Sequence, residues 1–181
     1  MAAREIALLR GINVGKAKRV AMADLAALVE RLGYKEVKTL LNSGNVVFTV
    51  PAAVKGKAAA RIEEALATKL KLESRVTGLT AAELDTIVKD NPLLEVATDH
   101  SRLFVTVITD PADRALLVPL TKEKWSPDVL ALGQRVAYQW CVKGSIDSPL
   151  SQAVGKVMKD RATTRNWATI LKLQQLAAGP R

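Results

Sequence analysis

The chain has 181 residues, 49% hydrophobic and 25% charged, a composition that excludes disordered, collagen-like and disulfide-built proteins. A single cysteine, Cys141, and a single histidine, His100, exclude an internal disulfide and a Cys/His zinc site, so neither a metal nor a cofactor is expected. With 27 basic and 18 acidic residues the net charge is +9, which means anionic partners or simply good solubility.

That excess divides evenly, +5 for residues 1–90 and +4 for residues 91–181, so it belongs to the body and not to a tail. It is densest in residues 1–19, with five basic residues to one acidic, and in residues 148–181, with six to one. No apolar run approaches the roughly 18 residues of a membrane span, so a membrane partner is not expected. Ile6–Leu9 is too short for a signal-peptide core, and a cytoplasmic location is the expectation.

In chain order, Arg4–Arg10 is a short apolar run that reads as a buried strand ended by Gly11 and Gly15. After a loop to Ala21, Asp24–Leu32 places Leu25, Leu28, Val29 and Leu32 on one helical face, with Gly33 as its stop. Lys35–Leu41 and Val46–Val50 are β-rich and flank Asn42-Ser43-Gly44-Asn45, whose composition supplies the left-handed conformations of a hairpin turn. Val54–Leu72 reads as a long helix with Ile62, Ala65, Leu66 and Leu70 in its apolar stripe, and Arg75–Leu79 as a strand.

The order strand, helix, strand, strand, helix, strand is that of a ferredoxin-like domain. A looser copy follows. Thr80-Ala-Ala-Glu83 is a capping box opening a helix that ends before Pro92, and Arg102–Thr109 alternates as a strand. Pro111–Leu117 reads as a helix, Val129–Leu132 and Arg135–Val142 as a hairpin about Gly133, and Pro149–Lys159 and Thr163–Ala177 as closing helices. The expected fold class is therefore α+β, two ferredoxin-like (β-α-β-β-α type) subdomains packed together, residues 1–79 and residues 80–181 with the C-terminal helices.

Three motifs carry chemistry. Arg10-Gly11-Ile12-Asn13-Val14-Gly15-Lys16 is a glycine-punctuated loop between strand and helix, where backbone N–H groups, Arg10 and Lys16 can cradle an anion. Only Ile12, Asn13 and Val14 separate the glycines, and Ala17 stands where a nucleotide triphosphatase needs a hydroxyl, so the loop is not a P-loop. As structure alone, its glycines permit a tight turn.

The second motif, Asn42 to Phe48, is a polar turn entering a strand. Ser43 has no histidine near it in sequence, which leaves a serine–lysine dyad as the one nucleophilic reading. Phe48 is the one aromatic residue on the strands that stack bases in RNA-recognition modules, so base stacking on this sheet is not expected. The third motif is Arg161 to Thr169. Thr163 or Thr164 can cap the final helix, and Arg165 in its first turn would oppose the helix dipole unless it meets a carboxylate, a carbonyl or an exogenous anion. Trp167 reads as a core anchor.

Leu8-Leu9-Arg10-Gly11-Ile12-Asn13-Val14-Gly15, Asn42-Ser43-Gly44-Asn45-Val46-Val47-Phe48 and Thr163-Thr164-Arg165-Asn166-Trp167 together closely resemble the domain-of-unknown-function family 1697. Asn91-Pro92 and Lys172-Leu173 follow in the order of that family, and the resemblance runs across nearly the whole chain. It implies two packed ferredoxin-like subdomains and no established activity. The chain departs from the family pattern at Lys16, where a second glycine is usual, and at Leu79, where an arginine is frequent.

The functional expectation is one polar cleft for a small anionic ligand, a nucleotide or phosphorylated metabolite, built from the Arg10–Lys16 loop, the Asn42–Asn45 turn and the Thr163–Trp167 motif. Its candidate residues are Arg10, Gly11, Asn13, Gly15, Lys16, Ser43, Gly44, Asn45, Thr164, Arg165 and Asn166. The alternative is a nucleic-acid-binding protein that contacts phosphates without reading sequence, and an assembly interface stays open as a third reading. No residue is assigned a catalytic role.

Overall fold

The computed structural model describes residues 2–179 and contains two four-stranded antiparallel sheets. The first half runs β1 (Ala3–Leu9), α1 (Met22–Arg31), β2 (Lys35–Leu40), β3 (Asn45–Val50), α2 (Ala58–Lys69) and β4 (Val76–Thr80). The second runs α3 (Ala81–Lys89), β5 (Leu103–Ile108), a 3-10 helix (Pro111–Lys122), β6 (Val129–Leu132), β7 (Val136–Trp140), α4 (Pro149–Met158), a 3-10 turn (Lys159–Arg161), β8 (Ala162–Asn166) and α5 (Trp167–Ala178). The sheets have the orders β2-β3-β1-β4 and β6-β7-β5-β8, so the same path is drawn twice, consistent with two ferredoxin-like halves.

Two compact units divide the chain: residues 1–84 with 173–181, and residues 85–172. In the first, the pleat sends Ala7, Leu9, Val46, Phe48 and Val76 to one face of the sheet. There they meet Leu25, Leu28 and Val29 of α1 and Ile62, Ala65 and Leu66 of α2, all buried, while Leu32 packs half-buried at the margin. Each buried valine, leucine, isoleucine or phenylalanine among them contributes about 1.5–3 kcal/mol relative to exposure. Arg4 of β1 donates to the carbonyls of Leu176 (3.1 Å) and Ala177 (3.5 Å), satisfying acceptors at the C-terminal end of α5 that the helix leaves open.

In the second unit, Ile108, Ala137 and Ala162 of the sheet pack with Leu150, Val154 and Met158 of α4 and with Leu117 and Leu120 of the 3-10 helix. Trp167 is buried, 2% exposed, as expected of an anchor.

Several local expectations need correction. α2 begins at Ala58 and not Val54, because Gly56 takes φ +90° and interrupts any helix through it. Pro111–Leu117 is the start of a longer 3-10 helix, in which Asp110 caps Ala112 N (3.0 Å) and Pro119 removes a backbone donor. Thr163–Asn166 is strand, not helix. Its Thr pair is β-branched, and residues 162–166 are held in register along β5, with Thr164 opposite Thr106 and Arg165 opposite Val105.

The capping box forms as read: Thr80 Oγ1 accepts from Glu83 N (3.1 Å) and Glu83 Oε2 from Thr80 N (2.8 Å). Thr80→Ala should therefore lower stability by about 1 kcal/mol in urea denaturation, with the slope unchanged. A loss under a few tenths would show that the helix start needs no side-chain cap.

Candidate functional site

The first loop and the Asn42–Asn45 turn are neighbours at one end of the first unit's sheet. Leu9 N donates to Gly44 O (2.8 Å), and Asn13 Nδ2 donates to Asn42 O (2.8 Å). Gly44 fits against Leu9 and Ile12 so closely that a Cβ there would stand 2.8 Å from Leu9 Cβ and 2.6 Å from Ile12 Cδ1. The turn's left-handed residues are Leu41 (φ +59°) and Gly44 (φ +87°), not its asparagines.

The asparagines serve as clips. Asn13 Nδ2 also donates to Val20 O (2.9 Å) and its Oδ1 accepts from Val20 N (2.9 Å), so one carboxamide closes residues 13–20 and ties them to the turn. Asn45 is fully buried, with Nδ2 donating to Leu40 O (2.7 Å) and Ser43 Oγ (2.9 Å). Both carboxamide donors of each asparagine are thereby used within the protein.

Within the loop, Asn13 N donates to Lys18 O (2.9 Å) and Val14 bridges Ala17, which makes a short finger of residues 13–18. Gly11, Asn13, Gly15 and Lys18 all take positive φ, and nothing stands within 4 Å of where a Cβ would project at Gly11 or Gly15. Residues 14–19 of the finger are all exposed. Arg10, Lys16, Lys18 and Arg19 are exposed along it, and no acidic residue occurs between Ile6 and Ala23. Arg10 is fixed through its backbone: its N–H meets Arg75 O (3.0 Å) and Ser74 Oγ (3.1 Å), and that hydroxyl donates to Arg10 O (2.8 Å).

Where finger and turn join lies a depression of about 300 Å³ lined by Asn13, Arg19, Val20, Ala21 and Asn42, at the lower end of ligand-pocket sizes. Ala21 is the N-cap of α1, and no side chain caps that helix. Arg19 and the N-cap residue of α1 thus line one depression, with Asp24 as the carboxylate in the helix's first turn. The sequence motifs point to neither Arg19 nor Asn42 as a binding residue, although Arg19 ends a run of three basic residues in four.

Thr164, Arg165 and Asn166 lie on β8 in the second unit. The Thr164 and Thr106 hydroxyls share a 2.8 Å hydrogen bond, and Thr106 Oγ1 accepts from buried Gln139 Nε2 (2.7 Å). Asn166, rather than either threonine, caps α5 by accepting from Thr169 N (2.9 Å). Arg165 is 9% exposed and its Nη1 donates to Thr164 O (2.9 Å). Burial pushes its guanidinium down to about 10, still protonated at neutral pH. Cys141 is fully buried, and burial raises its thiol, which disfavours the reactive thiolate.

A match to the family described as "Protein of unknown function (DUF1697)" covers residues 2–138, a span that includes the finger, the turn, α1 and α2. The chain belongs to this family. The family's description carries no activity, and no curated protein matches the chain. Among solved structures, the conserved bacterial protein SP0830 from Streptococcus pneumoniae is similar, with 23% identity and a TM-score of 0.79 over 98% of this chain and 99% of that one. At that identity the likeness speaks for the α+β fold alone. Among the described residues, no helix is long and apolar enough to cross a membrane.

Proposed function

We propose that the protein binds a small anionic ligand, a nucleotide or phosphorylated metabolite, at the junction of finger and turn in the first unit. The observation that carries this reading is the Asn13–Asn42 hydrogen bond, which joins two separate motifs at one depression that Arg19 and the N-cap of α1 also line. A phosphate there would accept from first-turn N–H groups and from the Arg19 guanidinium, with Lys16, Lys18 and Arg10 supplying longer-range attraction. The two asparagines hold the shape, and the glycines allow the backbone path. Thr164, Arg165 and Asn166 serve the second unit's own hydrogen bonding in this reading and are not needed for the contact.

Thermal-shift measurements on the full chain against phosphate, pyrophosphate, nucleotides, sugar phosphates and short RNA test it. A phosphate-bearing compound should raise the melting temperature, by an amount equivalent to about 2.7 kcal/mol at one hundred times its dissociation constant. Arg19→Ala should abolish the response while leaving the unliganded melting temperature unchanged. No response across the panel, or one indifferent to Arg19→Ala, would remove the site. A response to RNA alone would favour the nucleic-acid reading.

A further inference from the structure

Three connections leave the same end of the first sheet: residues 10–21 after β1, 41–44 after β2 and 70–75 before β4. Antiparallel pairing requires this, since β1 and β2 both run against β3, and β4 runs against β1. Among the described residues, this end exposes the cations Arg10, Lys16, Lys18, Arg19, Lys69, Lys71 and Arg75. Against them stand exposed Asp24 and Glu73, and Glu63, which is engaged with Arg75 at 3.4 Å.

Two large apolar side chains are exposed at the same end, Val14 at 71% and Leu41 at 50%. Val14 follows Asn13 and Leu41 precedes Asn42, so each is one residue from a partner of the hydrogen bond that links finger and turn. Leu41 also holds φ +59°, a conformation that leucine rarely adopts. Single exposed apolar residues are ordinary, but two on linked loops within a field of cations are not explained by solubility.

We infer that this end of the first unit docks on an anionic lipid surface, with Val14 and Leu41 entering the headgroup layer and the surrounding cations meeting lipid phosphates. The inference rests on the anion-site reading above and names the carrier of the phosphate. The occupant follows from shape and chemistry together. Residues 14–19 are all exposed, and the three connections offer no unpaired strand edge on which an extended peptide would add. No aromatic residue stands in these three connections to stack a base, and nucleic acid would leave the apolar tips unused. A bilayer surface accommodates both an apolar tip and a ring of cations. Hydropathy along the chain does not reveal such a surface, because one valine and one leucine make no apolar run.

Co-sedimentation of the full chain with phosphatidylcholine vesicles, with and without phosphatidylglycerol, tests the inference. Binding should be about tenfold or more stronger to the anionic vesicles and should fall with added salt. Val14→Asp combined with Leu41→Asn should reduce it by a further large factor, about tenfold, with an unchanged melting temperature, since both side chains are exposed and asparagine suits a left-handed position. Lys16→Glu with Lys18→Glu should reduce it as well. No vesicle binding by the unmodified protein, binding indifferent to the apolar pair, or displacement by a short single-stranded RNA with unchanged affinity in the apolar variant would each overturn the inference. A response to pyrophosphate without vesicle binding would retain the soluble-anion site and discard the docking. Vesicle binding without a pyrophosphate response would do the reverse.

Discussion

Gly44→Ala should destabilise the protein by about 2–4 kcal/mol, combining the strain of a non-glycine residue at positive φ with the cost of overpacking. Gly44 has φ +87°, where an alanine is strained before any contact is considered. The added Cβ would also meet two atoms closer than carbon atoms tolerate. One, Ile12 Cδ1 at 2.6 Å, ends a flexible side chain and can move. The other, Leu9 Cβ at 2.8 Å, is attached directly to the backbone of β1, which is paired on both sides and cannot retreat without disturbing both ladders. At 2–4 °C per kcal/mol for a chain of this size, the melting temperature should fall by about 5–15 °C. The same substitution should weaken the response to phosphate compounds, because it separates the turn from the finger. A change below about 1 kcal/mol would show that the turn moves freely over the loop, and the depression could then not be a preformed site.

Arg165→Lys is the second large effect expected, and it separates structure from ligand binding. Arg165 is 9% exposed on β8 and donates to Thr164 O. Its guanidinium, lowered to about 10 by burial, is charged at neutral pH, so the substitution preserves charge and changes only shape and hydration. Lysine replaces a planar fork of five donors by a compact, strongly hydrated ammonium with three. Burying that group with imperfect partners should cost about 2–3 kcal/mol, a fall of about 5–10 °C in melting temperature. The phosphate response of the first unit should be unchanged. The opposite pattern, an unchanged melting temperature with a lost response, would return Arg165 to the binding residues.

Much of the architecture was legible in the sequence because it depends on neighbours. Leu25, Leu28 and Val29 recur at helical spacing and are buried on one face of α1, and Thr80 and Glu83 lie three apart and cap each other. The elements of the first half, and β5, β6 and β7 of the second, are each recognisable locally. The nearness of finger and turn was also foreseeable, since a strand ending at Arg10 and a turn leading into an antiparallel strand beside it emerge at one sheet edge.

What the tertiary structure alone decided concerns partners distant in sequence. Residues 163–166 carry a cap-like polar composition, yet pairing with β5 makes them a strand, because hydrogen bonding along a whole ladder outweighs the weak local preference for a helix start. Asn13 and Asn45 look like ligand contacts in sequence. Their donors instead go to carbonyls of Val20, Asn42 and Leu40, a use that depends on the finger and the turn having already folded. Arg165 was expected in a helix's first turn, facing the dipole, and is a buried strand residue whose charge is the cost of its position in the sheet. The exposed tips at Val14 and Leu41 likewise have no signature along the chain. Only the folded path, with its positive φ values at Asn13, Gly15 and Leu41, turns those two apolar side chains outward among the cations, since side-chain direction is set by backbone conformation and not by residue type.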